Sequence, residues 1–383
     1  MKKFIAVPVV LVLVAFGAFA QEVNVGGGVI ARTELLQGDN DGNSEITTSG
    51  VTPVVRLQMS AEVDTLVGTF GAWLRIQPPS ASVSMEGQGI EFKFNPAMWG
   101  HVWWSNDMLR LMLGENPPGW WSRDGIARWG FYAMTQDTLS PGFMWGTQVA
   151  AKDYDLSFFG GIGSGLLLEL TPNKMVNVRV GLPVFDGGKT TDMLGGLAAQ
   201  VGLNFDFGTI AFTYSGHNCS SSCATSEPDW DFNHNKGSVF AYLNVAAIDN
   251  VGIDFGLGAH LENDPVIGIG AALNIGLTPE FALKTRLQAA IDTTENAPID
   301  LLFELLPSYD LTSGVTAFLG AGLELSLPDS GSASLGYYVF PHVRMGSAQG
   351  PSLYLGFELR SVSVGENNTA ISWRAPVGLN FMF

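Results

Sequence analysis

Hydrophobic and polar residues alternate along many short segments of this chain. At its end, one parity holds Ile371, Trp373, Ala375, Val377, Leu379, Phe381 and Phe383, and the intervening residues are mostly polar or small. The same alternation occurs in 54–63, 281–291 and 315–327. Because successive side chains of a β-strand point to opposite faces, these segments are predicted to be strands with one apolar and one polar face.

The connections between these segments alternate in length. Short turn-forming segments, such as 64–65 and 278–280, alternate along the chain with longer polar ones, such as 36–50 and 216–236. Tight turns at one rim and long loops at the other are typical of a transmembrane antiparallel up-and-down β-barrel, and we predict this all-β fold. Counting strands between the breaks gives about 18 to 20, with 16 as an alternative, because 154–183 fits two strands or three; an even count puts both chain ends on the short-turn side.

The composition distinguishes this barrel from a helical membrane protein. The chain has 47 glycines and only 14% charged residues, and its longest charge-free apolar stretch after the first twenty residues, 265–279, is broken by glycines and prolines. A spanning helix needs about 20 consecutive apolar residues, so apolar residues are expected to face lipid at every second strand position instead. A soluble β-sandwich or barrel is the alternative, but the polar parity is too rich in glycine and charge for a second buried core.

Residues 1–20 have the features of a cleaved signal peptide. They start with two lysines, continue with an apolar stretch and end in the small-residue pattern Ala-Phe-Ala. A transmembrane anchor is the alternative, but the apolar stretch is short and a cleavage pattern follows it directly. We expect 21–383 to form a single barrel domain with a long loop at 116–141, located in the outer membrane.

Charge and cysteine content restrict the chemistry. The formal net charge of -17 argues against nucleic acid as a partner. Cys219 and Cys223 lie in a polar segment of an exported chain, so a disulfide is predicted, with a zinc site that includes His217 and His234 as the weaker alternative. No metal or cofactor is otherwise indicated. The chain has no G-x-S-x-G, H-E-x-x-H or phosphate-loop motif, so no enzyme is expected, a barrel lipase being the enzymatic alternative.

Charged residues on the polar parity are expected to line the barrel interior. They are Arg56, Arg75, Arg110, Arg179, Lys284, Arg286, Glu304, Glu324, Arg344, Glu358, Arg360 and Arg374. Burying so many charges without water is costly, so a water-filled lumen that favours anions or polar solutes is predicted. In the alternative, the arginines pair with interior acids and only brace the wall.

Aromatic residues are predicted to serve two purposes. Near strand ends, Trp73, Trp103 and Tyr242 among others suit the interfacial girdles of a barrel, with plain packing as the alternative. The long loop holds a second group, the constriction candidates Trp120, Trp121, Arg123, Arg128 and Trp129. Loops of this length tend to be functional, and folding into the lumen would let these side chains contact a polar solute. Outward folding would make the loop a lid or a surface epitope.

Several stretches resemble outer-membrane β-barrels of spirochaetes, especially the treponeme-type porin-like proteins. They are "MKKFIAVPVVLVLVAFGAFAQEVNVGG", "MWGHVWWSNDMLRLMLGENPPGWW", "ELTPNKMVNVRVGLP", "LLPSYDLTSG" and "ISWRAPVGLNFMF". The resemblance implies an outer-membrane barrel without a defined substrate. Outer-membrane barrels in general end in an alternating strand with a terminal Phe that the barrel-assembly machinery reads, and Val377, Leu379, Phe381 and Phe383 match that pattern. Long fatty-acid channels are similar too, but they carry a plug before the first strand, which here begins almost at Gln21.

The predicted function is a porin-like channel for passive diffusion of small polar solutes. The alternative is a structural or adhesive surface barrel that acts through its acidic extracellular loops. Expected partners are outer-membrane lipids, the barrel-assembly machinery and periplasmic chaperones during folding, and small polar solutes; assembly into a homo-oligomer is one alternative for the folded state.

Overall fold

Antiparallel strands form the wall of a closed β-barrel. A computed structural model describes residues 22–39, 52–77, 83–84, 91–92, 97–115, 164–184, 190–216, 237–261, 265–294, 297–329, 331–347, 350–364 and 368–382. In this part of the chain the barrel has eighteen strands, within the predicted range. Both neighbours of Ser352–Gly356 and Glu358–Val364 pair with the two segments in one continuous register, so together they form a single strand.

The first nine strands cover the part of the chain up to residue 215. They are β1 (Glu22–Asp39), β2 (Thr52–Thr65), β3 (Gly68–Gln77), β4 (Ala97–Ser105), β5 (Leu109–Glu115), β6 (Ser164–Leu170), β7 (Val176–Pro183), β8 (Ala198–Phe205) and β9 (Gly208–Ser215). The other nine complete the wall. They are β10 (Ser238–Ile248), β11 (Val251–His260), β12 (Val266–Gly276), β13 (Phe281–Asp292), β14 (Ile299–Thr312), β15 (Val315–Leu327), β16 (Ser334–Gly346), β17 (Ser352–Gly356 with Glu358–Val364) and β18 (Asn368–Met382).

The barrel closes where the last strand pairs with the first. Gly28 of β1 lies opposite Met382 of β18, and Asp39 lies opposite Ser372, with a bulge between Glu34 and Leu36. The last strand therefore closes the barrel against the first. All other neighbours in the wall are consecutive in sequence, as the up-and-down prediction requires.

Two strands in the described chain lie within the ambiguous segment 154–183, namely β6 and β7, and residues 154–163 lie outside the described residues.

One boundary prediction is wrong. β1 continues to Asp39, into the segment 36–50 that the sequence predicts as a loop, because these residues have a pairing partner in β18.

Polar side chains fix the short turns at one end of the barrel, called here the short-turn end. The Asn106 side-chain oxygen accepts hydrogen bonds from the backbone N–H groups of Met108 and Leu109, at 2.9 and 2.8 Å. Asn173 makes the same pattern in the turn between β6 and β7. Asn250, between β10 and β11, has a φ of 61°, a left-handed conformation that asparagine tolerates better than most residues.

The two faces of the wall differ in chemistry. On β14 and β15, Phe303, Leu319 and Leu323 are exposed on the outer face, whereas Glu304 and Phe318 are buried on the inner face. A barrel surrounded by lipid has this outward apolar surface, and the alternating pattern read from the sequence is confirmed.

Other described elements are short. A single-turn helix, α1 (Thr190–Gly195), precedes β8, and Val83–Ser84 pairs with Glu91–Phe92 outside the barrel wall. Among the described residues, no helix is long and apolar enough to cross a membrane. The predictions on the signal peptide (1–20), the constriction candidates Trp120, Trp121, Arg123, Arg128 and Trp129, the Cys219–Cys223 disulfide and Phe383 fall outside the described residues.

Candidate functional site

All the predicted lining residues belong to barrel strands. They are Arg56 on β2, Arg75 on β3, Arg110 on β5, Arg179 on β7, Lys284 and Arg286 on β13, Glu304 on β14, Glu324 on β15, Arg344 on β16, Glu358 and Arg360 on β17, and Arg374 on β18. Three of them lie opposite uncharged residues of a neighbouring strand: Arg56 opposite Gly28, Lys284 opposite Leu306, and Glu324 opposite Leu302. The inner face of the barrel is therefore the candidate site.

Three of the arginines form ion pairs with the carboxylate directly opposite on a neighbouring strand. Arg179 Nη2 lies 2.9 Å from Glu169 Oε1, Arg374 Nη2 lies 2.6 Å from Glu358 Oε2, and Arg286 pairs with Glu304. Directly opposite charges of unlike sign stabilise neighbouring strands. For these arginines, the geometry matches the bracing alternative of the sequence analysis.

The Arg286–Glu304 pair is shielded from solvent. Both side chains have 0% relative exposure, and the Tyr338 hydroxyl donates a hydrogen bond to Glu304 Oε1 at 3.0 Å. Tyr338 and Glu304 lie two strands apart, on either side of Gly322, whose missing side chain leaves room for the phenol to cross β15. At this point the geometry matches the bracing alternative, because pairing compensates the buried charges.

Glu169 is the centre of a second polar network. Its Oε1 accepts hydrogen bonds from Arg179 Nε at 3.1 Å and Nη2 at 2.9 Å, and from Asn177 Nδ2 at 2.7 Å. Arg179 Nη1 also donates to Gln200 Oε1 at 3.4 Å, and Gln200 Nε2 donates to Thr213 Oγ1 at 2.9 Å. The network joins β6, β7, β8 and β9, and buried polar chains of this kind hold neighbouring strands in one register.

Other arginines contact aromatic rings. Arg75 lies 5.1 Å from the Trp73 ring centroid, and Arg110 lies 5.3 Å from that of Trp103. Between the two tryptophans, His101 is stacked on Trp73 at 5.1 Å and tilted against Trp103 at 5.6 Å. The resulting ladder of two cations and three rings crosses β3, β4 and β5 on the inner face, so the prediction of Trp73 and Trp103 as girdle residues is wrong.

A glycine makes the ladder sterically feasible. A Cβ atom on Gly71 would lie 2.1 Å from the Trp103 ring, so the indole lies directly against the β3 backbone. Trp103 also packs with Met112 and Leu167 of the next two strands. This contact fixes the ring on which Arg110 lies.

Arg344 is held by a second aromatic group. Its guanidinium lies 5.3 Å from the Phe318 ring centroid, and its Nη2 donates to Thr316 Oγ1 at 3.3 Å. Phe318 stacks on His342 at 4.7 Å, and His342 stacks on Phe340 at 4.6 Å. Cation–π contacts of this kind position a guanidinium without neutralising its charge.

Two more groups of polar side chains lie on the inner face of the described wall. Arg360 Nε donates to Ser372 Oγ at 2.8 Å. The Tyr242 hydroxyl donates to Asp254 Oδ1 at 2.5 Å, and Asn244 donates to the same oxygen at 2.7 Å. The girdle prediction for Tyr242 is therefore also wrong, since the side chain is buried on the inner face.

Sequence reasoning missed Glu169, Tyr338 and the histidines of the two aromatic groups. The register of Glu169 with Arg179 could have been predicted from the sequence. Glu169 and Arg179 lie at equal distances on either side of the β6–β7 turn, so a hairpin places them opposite each other. Glu358 and Arg374 are placed in the same way around the connection between β17 and β18. Among the described residues, no group of three or more His, Cys, Asp or Glu side chains could hold a metal ion.

Three of the predicted assembly residues lie on β18 and face outward. Val377, Leu379 and Phe381 lie opposite Thr33, Ala31 and Val29 of β1, and Leu379 and Phe381 are exposed. This geometry places them at the seam where the barrel closes. Their recognition by an assembly machinery stays a prediction.

Comparison with known proteins gives a likeness of fold. No protein-family model and no curated protein sequence matches the chain. Among solved structures, OccAB4 of Acinetobacter baumannii has a TM-score of 0.57 and 10% identity, over 95% of this chain and 99% of that chain. A triple mutant of the Rhodopseudomonas blastica porin has a TM-score of 0.46 and 15% identity, over 94% of this chain and 100% of that chain. In its fold, the chain is a porin-like β-barrel.

Proposed function

We propose that the chain is an outer-membrane channel through which small polar solutes diffuse passively. The observation that carries the proposal is the closed barrel of eighteen strands with an apolar outer face and charged side chains on its inner face. Barrels of about eight strands fill their interior with side chains, whereas those of about 16 to 18 leave an aqueous channel. Arginines that are not neutralised by carboxylates give such a channel groups that contact solutes.

A structural or adhesive barrel with a closed interior is the second candidate. It is favoured by the inner face of β13 to β17, where Arg286, Glu304, Tyr338, Phe340 and Tyr354 are almost completely buried. A wall packed in this way needs no water-filled lumen for its stability. The acidic net charge of -17 would then serve contacts at the cell surface.

Single-channel recording distinguishes the two candidates. The full chain, refolded in detergent and shown to be a heat-modifiable barrel on gels, is added to a planar bilayer. Stable unitary conductance steps support the channel, and heat-denatured protein at the same concentration is the control. A folded barrel that gives no steps contradicts it and leaves the structural barrel.

The cellular partners follow from the proposed location. They are outer-membrane lipids, the barrel-assembly machinery and the periplasmic chaperones that deliver unfolded barrels; a homo-oligomer is tested by cross-linking in detergent. Export through cleavage after residue 20 is tested by N-terminal sequencing of the membrane-inserted protein.

A further inference from the structure

Arg110 has a carboxylate directly opposite it but does not bind it. The register of β5 and β6 places Glu169 opposite Arg110, and the register of β6 and β7 places the same Glu169 opposite Arg179. In the described part of the chain, Arg110 forms no ion pair, and its buried Nε has no acceptor. Glu169 thus lies opposite two arginines and forms an ion pair with Arg179.

The Glu169 oxygen that binds Arg179 already accepts three hydrogen bonds. Glu169 Oε1 accepts hydrogen bonds from Arg179 Nε, Arg179 Nη2 and Asn177 Nδ2. A carboxylate oxygen offers about two lone-pair directions, so a further donor gains little there. In the described wall, the positive charge of Arg110 has no ion-pair partner, and all three donors to Glu169 Oε1 come from β7.

Arg344 repeats this arrangement on the other side of the barrel. Its only polar contact in the described chain is the Thr316 hydroxyl, which itself donates to Asp310 Oδ1 at 2.6 Å, and its Nε is buried without an acceptor. The guanidinium is held over Phe318 as Arg110 is held over Trp103. In both cases an aromatic face restricts the side chain and leaves hydrogen-bond donors available.

Both arginines lie at the short-turn end of the barrel. Arg110 is the second residue of β5, directly after the turn that contains Asn106, and Arg344 is the third residue from the end of β16, before the short connection to β17. Arg286 and Arg374, which pair with carboxylates, lie further inside their strands. Arg110 and Arg344 therefore both lie at one mouth of the lumen.

We propose that Arg110 and Arg344, on opposite sides of the short-turn mouth, each bind an oxyanion, the carboxylate or phosphate of a small solute. Arg179, Arg286 and Arg374 brace the wall and take no part in binding. A guanidinium presents several donors in a plane that matches the oxygens of either group, so the two solute classes share this recognition chemistry. The site deepens the proposed channel function and rests on it for its physiological role.

Binding to the full chain refolded in detergent tests the site directly. Acetate binding is followed by saturation-transfer NMR and inorganic phosphate binding by phosphorus NMR. Binding of either probe, lost in the double variant Arg110→Gln with Arg344→Gln, supports the site, and the probe that binds identifies the solute class. The control is Glu169→Gln with Arg179→Gln, which removes a neutral pair and retains binding. Absence of binding in the wild type, equal binding in the double variant, or equal loss in the control overturns the proposal.

Reversal potentials in a salt gradient then separate this inference from the channel function. Each charge removed at Arg110 or Arg344 is expected to lower the anion-to-cation permeability ratio by about twofold, the effect of one unit charge several Å from an ion in screened water. Arg110→Lys retains the ratio. A wild type without conductance contradicts the proposed channel, whereas the NMR result decides the oxyanion site in either case.

Discussion

Glu169 is paired with Arg179, its neighbour across a short turn, although Arg110 lies directly opposite it on the other side. The pair is largely buried, with 9% relative exposure of the arginine side chain and 16% of the carboxylate. The strand register alone would allow Glu169 to form an ion pair with either arginine. The additional donors on β7, Asn177 and the second guanidinium nitrogen, favour the pair with Arg179.

Glu169→Gln should therefore destabilise the barrel. The substitution leaves the guanidinium of Arg179 in a poorly solvated place without its counter-charge, a loss of about 3 kcal/mol in the free energy of unfolding. Urea titration in detergent micelles measures it. Removing both partners, in Glu169→Gln with Arg179→Gln, should cost less than the sum of the two single variants. The matched control is Glu62→Gln, an exposed carboxylate, and an equal cost there would contradict the role of the pair.

The hydroxyl of Tyr338 gives a second prediction. Tyr338→Phe removes one hydrogen bond to the charged Glu304 and keeps the ring, so the free energy of unfolding should fall by about 2 kcal/mol. Tyr309→Phe, on an exposed tyrosine of the outer face, is the matched control and should stay within about 0.5 kcal/mol of the wild type. Both are measured by urea unfolding. If Tyr338→Phe lowers the free energy of unfolding no more than Tyr309→Phe does, the hydrogen bond to Glu304 does not stabilise the barrel.

The fold was predictable because it depends on local patterns. Alternation with period two identifies strands, and the difference between tight turns and long loops orders them into a barrel. The strand character of 372–382, which pairs with the first strand, follows from the same alternation. The long β1 was not predictable in this way, because Leu36 to Asp39 join the wall only through pairing with β18.

The inner site was predictable only in part. Trp73 shares its parity with Arg75, so placing Arg75 inside the barrel already implied that Trp73 faces inward, and the girdle prediction overlooked this. The choice of Glu169 between two arginines was beyond the sequence. It depends on which donors converge on one oxygen, and a residue pattern contains no information about that distance.

Gly71 gives a prediction about the aromatic ladder. Gly71→Ala places a methyl group 2.1 Å from the Trp103 ring, so the indole must move and the free energy of unfolding should fall by about 1 to 3 kcal/mol. Because Arg110 lies on that ring, acetate and phosphate binding should weaken as well. The matched control is Gly252→Ala, where the nearest atom lies at 3.8 Å, and its stability should be close to that of the wild type. Unchanged binding with a lowered stability would separate the ladder from the oxyanion site.

Two leucines with equal exposure test whether the outer face contacts lipid. Leu287 lies in the middle of β13 and Leu311 next to the turn after β14, and each side chain is 55% exposed. In water, a lysine at either place would have a similar small effect. In a bilayer, a lysine near the midplane costs about 2 to 4 kcal/mol and one near the interface about 0 to 1 kcal/mol. We therefore expect Leu287→Lys to lower the folding free energy in phospholipid vesicles far more than Leu311→Lys, as measured by denaturant titration of vesicle-inserted protein. Equal costs for the two variants would contradict the assignment of this face to the hydrocarbon core, because depth is the property in which the two sites differ.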